Sequence, residues 1–207
     1  MRVAYPFLTI AGERMSDNDK KQKVLILLGS PRKKGNSAAL AQEIAEGAVS
    51  AGAEVESLFI QEMDIKACQA CWACQKPDSK GCAIKDDMQA VFPKLIEADA
   101  WVITTPVHWF NMSTQTKLWL DRCFSLAKYG KDPFKKKIGI AITYGDTDPY
   151  TSGAINAIRS FQDSFRYVGA KISGIVYGSA MEKGEIKQNE TVLKAARKLG
   201  EKLGRGA

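Results

Sequence analysis

Four of the chain's five cysteines fall within fifteen positions: Cys68, Cys71, Cys74 and, after seven intervening residues, Cys82. Thiols three residues apart make poor disulfide partners for one another, because a disulfide needs a specific Cα separation and Cβ direction. They can wrap around one metal centre instead. Structural zinc usually draws on two separated C-x-x-C knuckles, whereas a C-x-x-C-x-x-C run with a nearby fourth thiol has the pattern of [4Fe–4S] ligation. The spacing puts the cluster first, and leaves zinc and free or reversibly oxidised thiols as the other readings. Cys123 stands apart at an apolar helix position and reads as a buried core residue.

A second chemical stretch runs over 24–37. Five apolar residues, Val24 to Leu28, end at Gly29-Ser30-Pro31-Arg32-Lys33-Lys34-Gly35-Asn36-Ser37. A buried strand that stops in such a turn and feeds a helix gathers main-chain N–H groups and a helix N-terminus at one point, which suits a phosphate. The turn has neither the Gly-Lys-Ser/Thr of a P-loop nor the G-x-G-x-x-G of the dinucleotide fold. Its ligand is therefore a phosphate on something other than ATP or the NAD pyrophosphate. A third stretch, Pro106-Val107-His108-Trp109-Phe110-Asn111, holds the chain's single histidine beside two large aromatics. His108 has no evident Asp or Ser partner, so an acid–base role and a plain loop role stand equal. Trp109 and Phe110 read as walls for a planar ring.

These stretches sit between regular elements. Apolar strands are expected over 24–28, 54–60, 100–104, 137–143 and 171–177. Helices are read from Leu40, Ala41, Ile44, Ala45 and Ala48; from Leu120, Cys123, Phe124 and Ala127; from Ala154, Ile158, Phe161, Phe165 and Val168; and from Val192, Ala196, Leu199 and Leu203. Asn36 or Ser37 should cap the first helix and Gly52 stop it; Ser113 should cap the third. Asp86 with Gln89 has the form of a capping box, and Pro93 should kink or divide the helix that follows. Strand–helix alternation of this kind makes an α/β fold: a doubly wound five-stranded parallel sheet in three α/β/α layers. Ligands bind such sheets at the carboxyl ends of the strands, which selects the loops over 30–37, 105–112 and 144–152.

A chain of 207 residues suits one domain over 23–207, preceded by an N-terminal arm over 1–22 and carrying a cysteine-rich loop over 64–86. The arm's short apolar run contains Pro6 and lacks a small-x-small cleavage site, so a secretory leader is not expected. Met15 could itself be a start. Clustered thiols then point to a reducing, cytoplasmic setting. The net charge of +7 is scattered along the chain, which favours small anions or an acidic protein partner over nucleic acid. No apolar run is long enough to span a bilayer.

Taken together, the turn at Gly29 to Ser37, the four cysteines followed by Ile84-Lys85-Asp86-Asp87-Met88, and Thr105 to Met112 with Lys117, Asp121 and Arg122 resemble the NADPH-dependent FMN reductase superfamily, in its iron–sulfur flavoprotein branch. The resemblance spans about 23–177. It implies a flavodoxin-like fold with FMN at the switch point. By position, Ser30, Arg32, Asn36 and Ser37 would hold the FMN phosphate, with Lys33, Lys34 and Gly35 shaping the turn. Pro106, Val107, His108, Trp109, Phe110 and Asn111 would line the isoalloxazine, and Tyr144, Gly145 and Asp146 would close a third side. His108 stands where the family often has Tyr. Cys68, Cys71, Cys74 and Cys82 would carry the cluster. The resemblance also implies a homodimer or homotetramer, since flavin in this family commonly lies between subunits.

The leading functional expectation is a flavin-dependent oxidoreductase that passes electrons between a [4Fe–4S] cluster and FMN, docking an acidic carrier such as a ferredoxin. An NAD(P)H-dependent FMN or quinone reductase without a cluster is the second reading. A non-catalytic redox-sensing module that binds flavin or metal is the third.

Overall fold

The computed structural model describes residues 21–206, so all but the last two residues of the expected N-terminal arm lie outside the described residues. Five parallel strands, β1 (Lys23–Leu28), β2 (Glu54–Phe59), β3 (Ala100–His108), β5 (Lys137–Tyr144) and β6 (Lys171–Ser179), stand in the order β2-β1-β3-β5-β6. A short strand, β4 (Asn111–Met112), pairs antiparallel with the end of β3. This is the expected doubly wound sheet, with one addition.

The central strands are mostly apolar because both sheet faces are covered, and alternate side chains enter opposite cores. Leu25, Leu27, Trp101, Ile103, Ile138, Ile140 and Ile142 enter one core, which packs against helices α2 (Met88–Glu97), α3 (Thr114–Arg122) and α4 (Ala154–Val168). Val24, Ile26, Ala100, Val102 and Ala141 enter the other, beneath α1 (Asn36–Ser50) and α5 (Glu190–Gly204). The two latter helices approach closely. A Cβ on Gly200 would stand 2.0 Å from the Ile44 carbonyl oxygen, and one on Gly47 2.1 Å from that of Arg197.

Several local expectations change. The segment expected to turn over 105–112 instead continues β3 to His108, because β5 pairs it as far as Pro106↔Thr143. β1 ends at Leu28↔Thr104, which frees the other edge of β3 for β4 and lets Pro106 sit without a missing ladder bond. Pro93 lies inside α2 without dividing it. The cap of α1 is Gly35, not Asn36 or Ser37, and makes no side-chain capping bond. Ser113 does cap α3, accepting from the Thr116 N–H at 3.2 Å. Beyond Arg122 the chain tightens into a 3-10 turn over Cys123–Tyr129, which shifts the phase of the apolar stripe. Trp119, Arg122, Cys123 and Leu126 are buried there, while Phe124 and Ala127 face outward.

Candidate functional site

The carboxyl ends of β1, β3 and β5 meet around a cleft of about 220 Å³. From the first loop come Ser30, Arg32, Gly35, Asn36 and Ser37; from β3 come Pro106, Val107 and His108; from β5 come Tyr144 and Gly145. Three residues that the sequence did not single out complete it: Thr143, Ala180 and Met181. Thr143 reads as strand, and nothing in the residue types of 180–181 marks a ligand loop.

The first loop is held in shape by its own short bonds. Gly29 N–H donates to the Thr104 carbonyl at 2.8 Å, and Gly35 N–H closes a turn onto the Arg32 carbonyl at 3.0 Å. Ser30 Oγ accepts from the Arg32 N–H at 3.1 Å. Gly29 is required by close approach, since a Cβ there would lie 1.9 Å from Thr116 Oγ1. The helical ladder of α1 begins with Ala39 N–H donating to Gly35, so the N–H groups of Asn36, Ser37 and Ala38 precede it and point from the positive end of the helix. Arg32 is exposed, and no carboxylate pairs with it among the described residues. No acidic side chain lines the cleft. The arrangement suits an anion.

Three more side chains of this loop are already engaged. Asn36 Nδ2 donates to the carbonyls of Ala180 (3.2 Å) and Glu182 (2.8 Å), and its Oδ1 accepts from the Gly184 N–H at 2.8 Å. Asn36 therefore offers an anion its main-chain N–H, while its amide ties the loop after β6 to the cleft. Ser37 Oγ is 2.7 Å from Thr143 Oγ1 and is buried. Lys33 turns away, forming an ion pair with Glu62 at 3.0 Å.

The third stretch forms a two-residue hairpin turn. His108 pairs with Asn111, and Trp109 and Phe110 between them have φ of 45° and 65°. Positive φ at both positions is the type I′ signature that Asn-Gly normally fills. Trp109 is 92% exposed and Phe110 52%; neither lines the cleft, nor do Asn111 and Asp146. The Phe110 carbonyl accepts from Asn156 Nδ2 at 3.0 Å, and Gly153 comes so close that a Cβ there would sit 2.5 Å from Phe110 Cα. α4 thus clamps the hairpin tip. His108 is exposed at the end of β3, yet partial burial against the cleft, reinforced by the Arg32 charge, holds its pKa below the ordinary imidazole value. Both effects favour the neutral imidazole. Burial, then the neighbouring Tyr177 and Asp148, raises the Tyr144 phenol.

The cysteine loop leaves the carboxyl end of β2, the same sheet edge as the cleft. Cys68 and Cys71 are exposed, Cys74 is buried and Cys82 partly so. Ala70 and Trp72, between the cysteines, have φ of 49° and 57°, tight left-handed bends in the chain. The donor set fits an iron–sulfur centre: four soft thiols and no competing histidine on the loop. They are not gathered, for among the described residues no three Cys, His, Asp or Glu side chains converge as a metal site. Burial raises the Cys123 thiol well above its usual range, and Asp121 adds to this; that cysteine is inert core.

The family model of NADPH-dependent FMN reductase matches residues 22–184. An iron–sulfur flavoprotein of Methanosarcina thermophila is 30% identical over 86% of this chain and 93% of its own. Another of that name from Methanocaldococcus jannaschii is 29% identical over 87% and 95%. In fold the chain is similar to an NAD(P)H:quinone oxidoreductase of Methanothermobacter marburgensis, with TM-score 0.69, 21% identity, and coverage of 89% of this chain and 100% of that one. A flavodoxin-like sheet, an anion cleft at its switch point and these matches place the chain in the NADPH-dependent FMN reductase family, in the iron–sulfur flavoprotein branch, as an FMN-dependent oxidoreductase.

Proposed function

We propose that this FMN-dependent oxidoreductase carries a [4Fe–4S] cluster on Cys68, Cys71, Cys74 and Cys82 and passes electrons between it and FMN. One observation supports the reading most. The cysteine loop and the phosphate turn leave the same edge of the sheet, and the Lys33–Glu62 ion pair joins their exits.

Within the cleft, the N–H groups of Asn36, Ser37 and Ala38, with Arg32, would hold the FMN phosphate. Pro106, Val107 and His108 on one side and Tyr144 and Gly145 on the other would flank the ring. Bound FMN supplies a centre that exchanges electrons singly or in pairs. The chain contributes position and charge. The lowered pKa of His108 disfavours positive charge at the ring edge, while Arg32 keeps positive charge at the phosphate end. The exposed Trp109 and Phe110 suit a cover supplied by a second copy, in a homodimer or homotetramer. The net charge of +7 suits docking of an acidic electron carrier.

Anaerobically prepared protein should be brown, with iron and acid-labile sulfide near four each per chain, as one such cluster contains. In Cys71→Ala the iron should be lost and FMN kept, because the phosphate turn is separate. A yellow, iron-free protein after anaerobic reconstitution would overturn this reading. The second reading, an NAD(P)H-dependent FMN or quinone reductase with free thiols, is favoured by one fact: the four thiols are not gathered among the described residues. Rapid bleaching of iron-free protein by NADPH would establish it.

A further inference from the structure

The cysteine loop is anchored from below by a buried ion pair. Arg122, at the end of α3, and Asp86, at the end of the loop, have side chains with no solvent exposure. Their fork is bidentate: Nη1 bonds Asp86 Oδ2 and Nη2 bonds Asp86 Oδ1 at 3.0 Å. The same guanidinium reaches two other points of the loop. Nη1 donates to the Lys66 carbonyl at 2.8 Å, and Nη2 donates to Cys82 Sγ at 3.4 Å. Asp86 completes the closure by accepting from the Lys66 N–H at 2.9 Å and the Met88 N–H at 3.1 Å. Gln89 holds the Cys82 carbonyl at 3.1 Å.

A buried ion pair is weak evidence for stability in itself, because an apolar pair of equal volume often does as well. Here every bond Arg122 makes through its terminal nitrogens goes to the loop, 36 to 56 residues away in sequence. Its Nε is buried without a partner, a cost that a purely stabilising pair would not carry. The pair joins the start of the loop at Lys66 to its end at Cys82 and Asp86, and leaves Cys68 and Cys71 exposed on the limb between them.

We propose that Arg122 is the positioning residue of the cysteine loop. It fixes Cys82 as the pre-set ligand onto which the other three thiols close, and its N–H to Cys82 Sγ stabilises the more reduced state of the centre. This rests on the cluster reading above. The anchored Cys82 also accounts for how a seven-residue gap after Cys74 still brings its fourth thiol to the centre. Hydrogen bonds to ligating sulfur withdraw charge from it and raise a cluster's potential.

The test compares full-length wild type with Arg122→Lys, which keeps a charge for Asp86 but has no fork to span Lys66 and Cys82 as well. Peptide-resolved hydrogen exchange on iron-free protein should show roughly tenfold or faster exchange over 64–68 and 82–88 alone, as local opening predicts. After anaerobic reconstitution, the variant's cluster should have a more negative midpoint potential than wild type. A purely structural role would not move that potential. Asp86→Asn combined with Arg122→Gln removes the guanidinium without stranding a buried charge, and should show the same potential shift and the same exchange over 82–88. Wild-type exchange over both segments overturns the proposal, as does an unshifted potential in either variant. A wild-type protein that takes up no iron sinks the cluster reading instead, and the exchange result then decides the anchoring by itself.

Discussion

At the scale of single residues, the chain separates side chains left open to a ligand from side chains that build. Asn36 and Ser37 belong to the same turn as Arg32, yet their polar atoms are spent on the loop after β6 and on Thr143. Of that turn's three cations Lys33 is paired with Glu62, and Arg32 is the one that lines the cleft, with no carboxylate partner among the described residues. Arg32→Ala should therefore weaken FMN binding by about 1.5–3 kcal/mol, the range for hydrogen bonds to charged groups, and leave the melting temperature of the FMN-free protein unchanged. Fluorescence titration with FMN checks the first and circular dichroism the second. Asn36→Ala should do the reverse and destabilise the FMN-free fold, since the carbonyls of Ala180 and Glu182 and the Gly184 N–H lose their partner.

At the scale of elements, the hairpin joining β3 to β4 is built against local preference. Two aromatics occupy the left-handed positions of a type I′ turn, at about 1–3 kcal/mol each for a non-glycine residue held there. Trp109 buries almost none of its surface in return. Replacing the pair by Trp109→Asn with Phe110→Gly should stabilise the FMN-free protein by about 1–3 kcal/mol, read from urea unfolding. The same variant should bind FMN more weakly or assemble less completely, because the aromatic tip is then gone. A variant with lower stability would show that the rings are held by contacts of their own.

At the scale of the whole molecule, two long-range devices set stability. The first is the contact between α1 and α5, which only glycines permit. Gly200→Ala should gain helix propensity of about 1 kcal/mol and still lower the melting temperature, because its Cβ would lie 2.0 Å from the Ile44 carbonyl oxygen and overpacking costs about 1–3 kcal/mol. The second is the Asp86–Arg122 pair. Burial by itself would raise the Asp86 carboxyl, but hydrogen bonds from Arg122 and the Lys66 amide, with the Arg122 charge, hold it below the usual carboxylate range. A carboxyl whose folded pKa is depressed contributes stability above its unfolded pKa of about 3.9 and loses it as pH falls through the folded value. Asp86→Asn should thus be less stable than wild type at pH 7, by about 3–5 kcal/mol for a buried pair broken on one side. The difference should shrink below about pH 4. Urea midpoints measured across that range decide the sign.

The five parallel strands and the three layers were legible in the sequence, because runs of apolar residues and helical spacing are local patterns that burial enforces directly. The strand–helix turn over 29–37 was legible for the same reason: Gly29, Ser30 and Gly35 are residue types that such a tight turn requires over a few positions. Cysteine spacing marked a candidate ligand loop without saying where each thiol stands. Only the tertiary structure decided which polar groups are free. Asn36 is diverted by a loop 148 residues away, Arg122 is drawn into the cysteine loop across 36 residues, and Trp109 with Phe110 becomes a hairpin tip because β5 extends β3 past the end of β1. Partners so distant in sequence leave no periodic trace, since what selects them is the requirement that every buried polar group be paired once the sheet has formed.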